Sequence, residues 1–282
     1  MTSKSQPEDI LERIASAKRA DLTKLRAEVP QSELEKQVTP RAAGAFRKAL
    51  LTQRTGRPPG QPDCAVIAEA KKASPSRGLL CADYDAARIA RGYERAGARA
   101  VSVLTDGEFF QGSLDDLRRV KAAISLPVLR KDFTLDEYHV YEAAAAGADA
   151  ILLIATLLQP KEIATLLGLS NGLGLDALVE VHTAQELQAA LEAGSQIIGV
   201  NNRNLNNFEV SLNISFELID LIQDNVVAVS ESGLRSAADL ERLQAAGFDA
   251  FLIGERLLAE PDPGVALRQL LDGVPARSSV PN

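Results

Sequence analysis

The chain has no tryptophan, one methionine, and only two cysteines and two histidines among its 282 residues. Each scarcity closes off a class of protein. Cys64 and Cys81 form no CxxC pair and fall in no metal-ligand spacing, so a reduced, cytoplasmic protein is expected. With His139 and His182 as the only imidazoles, a structural zinc site would lack its soft ligands. Long apolar runs are missing too. The longest, Ala150 to Leu158 with Thr156 inside it, is far too short to span a bilayer. The first twenty residues are polar and lack the apolar core of a signal peptide. A net charge of −7 argues against a nucleic-acid partner. It leaves small anionic ligands open, because local lysines and helix ends bind them.

What is present suits a soluble globular chain. Hydrophobic residues make up 46% and charged residues 24%, and the length allows a sizeable core in one large domain or two small ones. A helix is predicted from about Pro7 to Ala27, where Ile10, Leu11, Ile14, Ala17 and Lys18 keep a three-to-four spacing. Pro30 and Pro40 punctuate a second short helical piece, and Arg41 to Leu51 reads as a third. Thr55 to Pro62 is a loop by its density of proline and glycine. Residues 1–62 are therefore expected to form a helical N-terminal extension, followed by a regular unit over 63–273 and a loose tail over 274–282.

The regular unit alternates short apolar runs with helical patterns. Strands are predicted at Ala65 to Glu69, Ala100 to Leu104, Pro127 to Arg130, Ala150 to Ile154, Ala177 to Val181, Ile197 to Val200, Val226 to Val229 and Ala250 to Ile253. Runs that are apolar on both faces suit parallel strands covered by helices. About eight such units, at this length, predict a (β/α)₈ TIM barrel. Four joints support the count: Ala96-Gly97, Ala146-Gly147, Ala193-Gly194 and Ala246-Gly247 each link a helix end to a strand start, about fifty residues apart. An open doubly wound sheet shares the alternation, but it would show fewer units and a GxGxxG fingerprint that this chain lacks.

In such a barrel the active site lies at the C-terminal ends of the strands. Those ends read Glu69 and Lys71, Thr105 and Asp106, Lys131, Glu180, Asn201 with Arg203, Glu231-Ser232-Gly233, and Gly254-Glu255. Singly, each has an ordinary explanation: a strand surfacing at Lys131, a loop-start acid at Glu69 or Glu180, turn chemistry at Asn201 or Gly254. Together they form a mixed-charge cluster of the kind from which acid/base sites are built. Lys71 lies two residues beyond Glu69 and shares its face if the strand continues. Ser74, Pro75 and Ser76 lie near the same rim. Phe109, Phe110 and Phe133 are aromatic residues in βα loops and suggest a flat aromatic ligand. Both histidines are expected to be structural.

The stretch Glu69-Ala70-Lys71-Lys72-Ala73-Ser74-Pro75-Ser76 resembles the first-strand signature of the indole-3-glycerol-phosphate synthases of tryptophan biosynthesis. The same family is matched in order by Phe109-Phe110-Gln111-Gly112-Ser113, Leu129-Arg130-Lys131-Asp132-Phe133, Val179-Glu180-Val181-His182, Gly199 to Leu205, Ser230 to Gly233, and Leu252 to Glu255. The resemblance implies a carboxy-lyase that converts 1-(2-carboxyphenylamino)-1-deoxyribulose 5-phosphate to indole-3-glycerol phosphate, with loss of CO₂ and water. By the same analogy Lys131 is the general acid for ring closure, and Lys71 serves in the dehydration. Glu69 and Glu180 are the acid/base carboxylates, while Asn201 and Glu231 orient hydroxyls and lysines.

Phe110, Phe133 and Leu152 would line the aromatic pocket, with Arg203 near polar substrate groups. Ser74, Ser232, Gly233, Gly254 and the backbone N–H of Glu255 would hold the phosphate, and Pro75, Leu205 and Ile253 complete the binding set. No metal and no organic cofactor is implied. The partners implied are the phosphorylated anthranilate-ring substrate and other enzymes of the tryptophan pathway, with no nucleic acid and no membrane. Two positions depart from the pattern, since some members carry a phosphate-binding lysine at Ala73 and a serine at Glu255. The competing readings are a Schiff-base aldolase using Lys131, a phosphoribosylanthranilate isomerase, and a phosphate-binding barrel without catalysis.

Overall fold

The computed structural model describes residues 10–39, 42–51, 64–204 and 208–274. The predicted loop from Thr55 to Pro62, the tail from Pro275 and the site residue Leu205 lie outside the described residues. Eight parallel strands close on themselves: β1 (Ala65–Ala70), β2 (Ala100–Leu104), β3 (Val128–Lys131), β4 (Ala150–Ile154), β5 (Asp176–Val181), β6 (Ile197–Asn201), β7 (Val227–Glu231) and β8 (Ala250–Ile253). β1 pairs with both β2 and β8, which closes the ring and leaves no edge. The (β/α)₈ barrel read from the sequence is the fold observed.

The period-two pleat sorts every strand into an inward and an outward set. Val66, Ala68, Val101, Val103, Ile151, Leu153, Val179 and Phe251 face the surrounding helices in one apolar layer. Ala65, Ile67, Ala100, Leu129, Leu152, Leu178, Val229 and Leu252 fill the interior. Followed to the strand ends, the inward phase lands on Glu69, Lys131, Glu180, Asn201 and Glu231, so the pleat itself aims them at one mouth.

The outer ring is made by α4 (Ala86–Ala96), α5 (Leu114–Ala123), α6 (Glu137–Ala145), α7 (Pro160–Gly172), α8 (Ala184–Glu192), α9 (Asn213–Leu218), α10 (Ala237–Ala246) and α12 (Pro263–Asp272), with a one-turn α11 (Glu255–Leu258) before the last. Asp85, Ser113, Asp136, Thr183, Ser236 and Asp262 each stand at a helix N-cap and accept a backbone N–H from its first turn. Such caps contribute about 1 kcal/mol apiece and fix where each βα loop ends. At the opposite ends, Gly97 (φ 105°) and Gly247 (φ 119°) take the left-handed turn that the repeat predicted.

The helical extension divides between the two ends of the barrel. In α3 (Ala45–Leu51), Phe46 and Leu50 join the interior cluster with strand-start residues, and the Arg47 N–H donates to Asp176 Oδ2 at 3.0 Å. This helix plugs the bottom. In α1 (Ile10–Glu28), Leu11 and Ile14 join the interior cluster from the mouth side, and α2 (Gln31–Gln37) follows it.

Several boundaries differ from the sequence reading by a residue or more, and one small element is additional. α3 begins at Ala45, not Arg41, because Gly44 (φ 98°) is left-handed just before it. β3 runs one residue further, to Lys131. The helix expected near Phe216 to Ile222 starts at Asn213 and ends in a 3₁₀ turn over Ile219–Leu221. A small hairpin, Ala73–Ser74 against Gly78–Leu79, was not foreseen because two-residue strands carry no periodic signal. Among the described residues, no helix is long and apolar enough to cross a membrane.

Candidate active site

A cavity of about 560 Å³ opens at the C-terminal ends of the strands. Every described residue that the family resemblance implied as catalytic or substrate-binding borders it, whereas Thr105, Asp106 and Phe109 do not. Its floor is charged. Lys131 Nζ lies 3.0 Å from Glu180 Oε2 and 3.7 Å from Glu231 Oε2. Both carboxylates are only 2% exposed, so they are desolvated and must be compensated within the protein. Glu180 has two donors, since Asn201 Nδ2 also gives to its Oε1 at 2.9 Å. Glu231 Oε1 has no hydrogen-bond partner among the described residues.

That asymmetry sets the protonation states. Burial raises Glu180, but Lys131, His182 and the Asn201 amide outweigh it and hold the carboxyl below its ordinary value. For Glu231 burial prevails; Lys131 opposes it, but Glu180 and Glu69 add repulsion, and the group is pushed up to about 8. Burial would lower the Lys131 ammonium, yet Glu180, Glu231 and Glu69 together hold it above the ordinary lysine range. The floor at neutral pH is thus an ammonium, an ionised carboxylate and a protonated one. Two similar groups driven apart by their surroundings make an acid/base pair.

Glycines on the neighbouring strands make the room. Gly199 sits beside Glu180 in the β5–β6 register, and a methyl group there would stand 2.1 Å from Glu231 Oε1. A methyl group at Gly254 would stand 2.4 Å from Glu69 Oε1. That oxygen accepts from Lys71 Nζ at 2.6 Å, a pair buried on the β1 wall. Lys71 does share the face of Glu69, as the pleat required.

Phe110 and Phe133 form the apolar wall, their centroids 6.3 Å apart and their planes at 39°. Leu152 lines the cavity beside them, as do Ile10, Leu11 and Ile14 of α1. Phe109 differs from expectation. It does not border the cavity but lies under the Arg13 guanidinium, 5.4 Å from its ring centroid. The remaining wall carries Ser74, Pro75, Ser232, Gly233, Ile253, Gly254 and Glu255. Ser232 is left-handed (φ 64°), a strain of about 1–2 kcal/mol that the packed loop maintains. The Glu255 carboxylate turns to Arg203, which donates to it at 2.8 Å. Glu255 therefore leaves its backbone, not its side-chain charge, toward this end of the cavity.

Several residues escaped the sequence reading. Arg77 and Arg235 line the wall that carries Ser74 and Gly233, adding positive charge where Ala73 offers none. Lys18 of α1 reaches Asp132 at 2.7 Å and Asp106 at 3.0 Å. Asp106 accepts from the Phe109 and Phe110 N–H groups at 2.7 and 3.3 Å, and Asp132 from the Phe133 N–H at 2.8 Å. One ammonium from the extension thus braces both aromatic loops. On the outer side of β3, Arg130 binds Glu142 at 2.6 Å, Asp132 at 3.2 Å and the His139 carbonyl at 3.0 Å. Burial, then Arg130, presses His139 down to about 4, so it is a neutral structural group as expected. A lysine inside the apolar stripe of α1 was the only available signal for this network.

The comparisons with known proteins agree with one another. The family model described as indole-3-glycerol phosphate synthase matches residues 11–270. An indole-3-glycerol phosphate synthase of Carboxydothermus hydrogenoformans is 43% identical over 266 residues, covering 93% of this chain and 99% of that one. Its counterpart in Chlorobium chlorochromatii is 48% identical over 247 residues, covering 88% and 94%. Among solved structures, an N-acetylmannosamine-6-phosphate 2-epimerase from Clostridium perfringens superposes with a TM-score of 0.57 at 15% identity, covering 74% of this chain and 92% of that one. That likeness shows the barrel fold alone.

Proposed function

The chain belongs to the indole-3-glycerol phosphate synthase family, carboxy-lyases of tryptophan biosynthesis, and from that premise we propose how its cavity carries out the reaction. The phosphorylated substrate, 1-(2-carboxyphenylamino)-1-deoxyribulose 5-phosphate, lays its ring between Phe110, Phe133 and Leu152. Its phosphate reaches Ser74, Ser232, Gly233 and the backbone at Gly254 and Glu255, with Arg77 and Arg235 supplying charge. Pro75 and Ile253 shape that end.

The ring carbon that bears the carboxylate attacks the ketone, and Lys131 gives its proton to the carbonyl oxygen as negative charge develops there. The bond to the carboxylate then breaks, CO₂ leaves, and the electron pair restores the aromatic ring. In the second half Lys71, held by Glu69, protonates the departing hydroxyl, while Glu180 removes the proton whose loss completes the indole. Asn201 holds Glu180 in place. Glu231, neutral at working pH, keeps Lys131 aimed without a second full negative charge. Arg203 answers polar groups of the substrate.

One observation carries this reading: a partly buried lysine 3.0 Å from the buried Glu180 carboxylate, on the floor of the cavity whose wall is the Phe110–Phe133 pair. The test is an indole-fluorescence assay with the synthetic substrate, run beside Lys131→Ala. The parent is expected to turn over and the variant to lose at least about a hundredfold in kcat, the low end for one acid/base group. No indole formation by the parent overturns the assignment. Schiff-base chemistry at Lys131 would instead trap a borohydride adduct. A cytoplasmic setting, which suits Cys64 and Cys81 as thiols outside any disulfide, and contact with other enzymes of the pathway belong to the same proposal.

A further inference from the structure

Written from the carboxylate form of the substrate, the reaction consumes one proton per turnover. The carboxylate leaves as neutral CO₂, the hydroxyl leaves as water, and the proton given by Lys131 is not returned by any later step. The dehydration exchanges one proton in and one out. The buried floor must therefore be recharged from solvent in every cycle, although Glu180 and Glu231 are almost inaccessible.

His182 is placed to do this. It lies two residues beyond Glu180 in the phase of β5, and its Nε2 is 3.7 Å from Glu180 Oε1. That nitrogen is buried and has no hydrogen-bond partner among the described residues. On the other side of the ring, Nδ1 is 3.7 Å from Glu186 Oε2, on the first turn of α8. Glu186 is anchored by the His182 backbone N–H at 2.7 Å and by Thr156 Oγ1 at 2.8 Å, and its side chain is 20% exposed. The imidazole thus bridges a carboxylate of the floor and a carboxylate at the rim.

We propose that His182 is a positioning residue that returns the consumed proton, forming with Glu186 and Glu180 a three-member path from solvent to Lys131. This rests on the reading of Lys131 and Glu180 given above. Once Glu180 has passed the proton taken in the dehydration back to the Lys71 amine, it is a carboxylate again; the Nε2–H bond of the imidazolium then breaks and an O–H bond forms on Glu180. That proton passes over 3.0 Å to the neutral amine of Lys131, restoring the ammonium and the Glu180 carboxylate. The neutral ring, 13% exposed and left with its proton on Nδ1, turns over about its Cβ–Cγ bond, and the bare nitrogen then facing Glu186 takes a proton from water.

The charged groups facing the ring are Glu180 on its own strand, Glu186 from α8 and Glu231 from β7, with Lys131 beyond Glu180. Burial lowers the imidazole, but the nearby carboxylates of Glu186, Glu180 and Glu231 raise it above its ordinary value.

The tests are pH profiles of kcat and KM for the parent, His182→Asn and Glu186→Gln. In the parent, kcat should fall as pH rises through the His182 ionisation. In H182N, kcat at neutral pH should drop about tenfold or more with KM unchanged, the basic limb should vanish, and added imidazole should restore activity. In E186Q the ring stays but loses its anion, so the basic limb should move to lower pH. A merely structural histidine would do neither. A parent-like kcat and profile in H182N overturns the proposal, as does an E186Q limb that does not move, which decides the matter even if H182N folds poorly. Failure of the parent to turn over would instead strike the reading of the site.

Discussion

Replacing Glu231 by glutamine should make the protein more stable in mild alkali while impairing it as a catalyst. The carboxyl is 2% exposed, one oxygen lacks a donor, and the other lies 3.7 Å from Lys131, nearer in turn to Glu180. It is pushed up to about 8 in the folded chain, against roughly 4.3 for an unperturbed glutamate. The folded state therefore holds this proton where the unfolded chain has released it. The stability that it confers is full below the unfolded value and is lost as pH climbs to the folded one.

Each pH unit in that window corresponds to about 1.4 kcal/mol, tapering near the folded value, so the parent should lose about 2 kcal/mol at this site between pH 6 and 8. Glutamine keeps the shape and does not titrate, so the loss should be absent from E231Q. Denaturant unfolding of both proteins at pH 6, 7, 8 and 9 gives the stability difference, in which groups common to both cancel. The expected result is a difference that grows in favour of the variant by roughly 2–3 kcal/mol, a Tm gain of several degrees for a chain of this size. kcat should fall at least about tenfold, because the carboxyl that aims Lys131 is replaced by an amide. Parallel stability curves over that range would refute the burial argument.

Two further predictions come from the packing around the site. Gly199→Ala places a methyl group where Glu231 Oε1 now lies, so kcat should drop about a hundredfold while circular dichroism stays that of a folded barrel. A variant with parent kcat would mean that Glu231 does not occupy this position in the working enzyme. Lys18→Met removes the ammonium between Asp106 and Asp132, and stripping one partner from a buried ion cluster costs about 3 kcal/mol. It should lower the denaturation midpoint and raise KM, since both aromatic loops lose their brace, and Lys18→Arg should recover most of both. An unchanged midpoint would show the cluster to be solvated.

Much of this molecule was legible before any coordinate. The inward phase of each strand is a local property of the pleat, so Glu69, Lys131, Glu180, Asn201 and Glu231 could be assigned to one mouth once the units were counted as eight. Gly97 and Gly247 were readable for a similar reason, because a short helix-to-strand turn needs a left-handed residue there. Two-residue strands and one-turn helices left no period to detect, so the Ala73–Ser74 hairpin and the helix Glu255–Leu258 went unread.

What the order of residues by itself determined is the closed parallel barrel, its end of action and the types of group gathered there. Tertiary structure alone decided which carboxylate stands nearer Lys131, and hence that Glu180 is charged while Glu231 holds a proton. It also decided that Lys18, more than a hundred residues from Asp132 in the chain, braces the aromatic wall, and that His182 stands 3.7 Å from the Glu180 carboxylate. The physical reason is one of range. Pleat and helix periods are set by neighbours in the chain, whereas a difference of 0.7 Å between two ion pairs is set by how eight strands register when the ring closes.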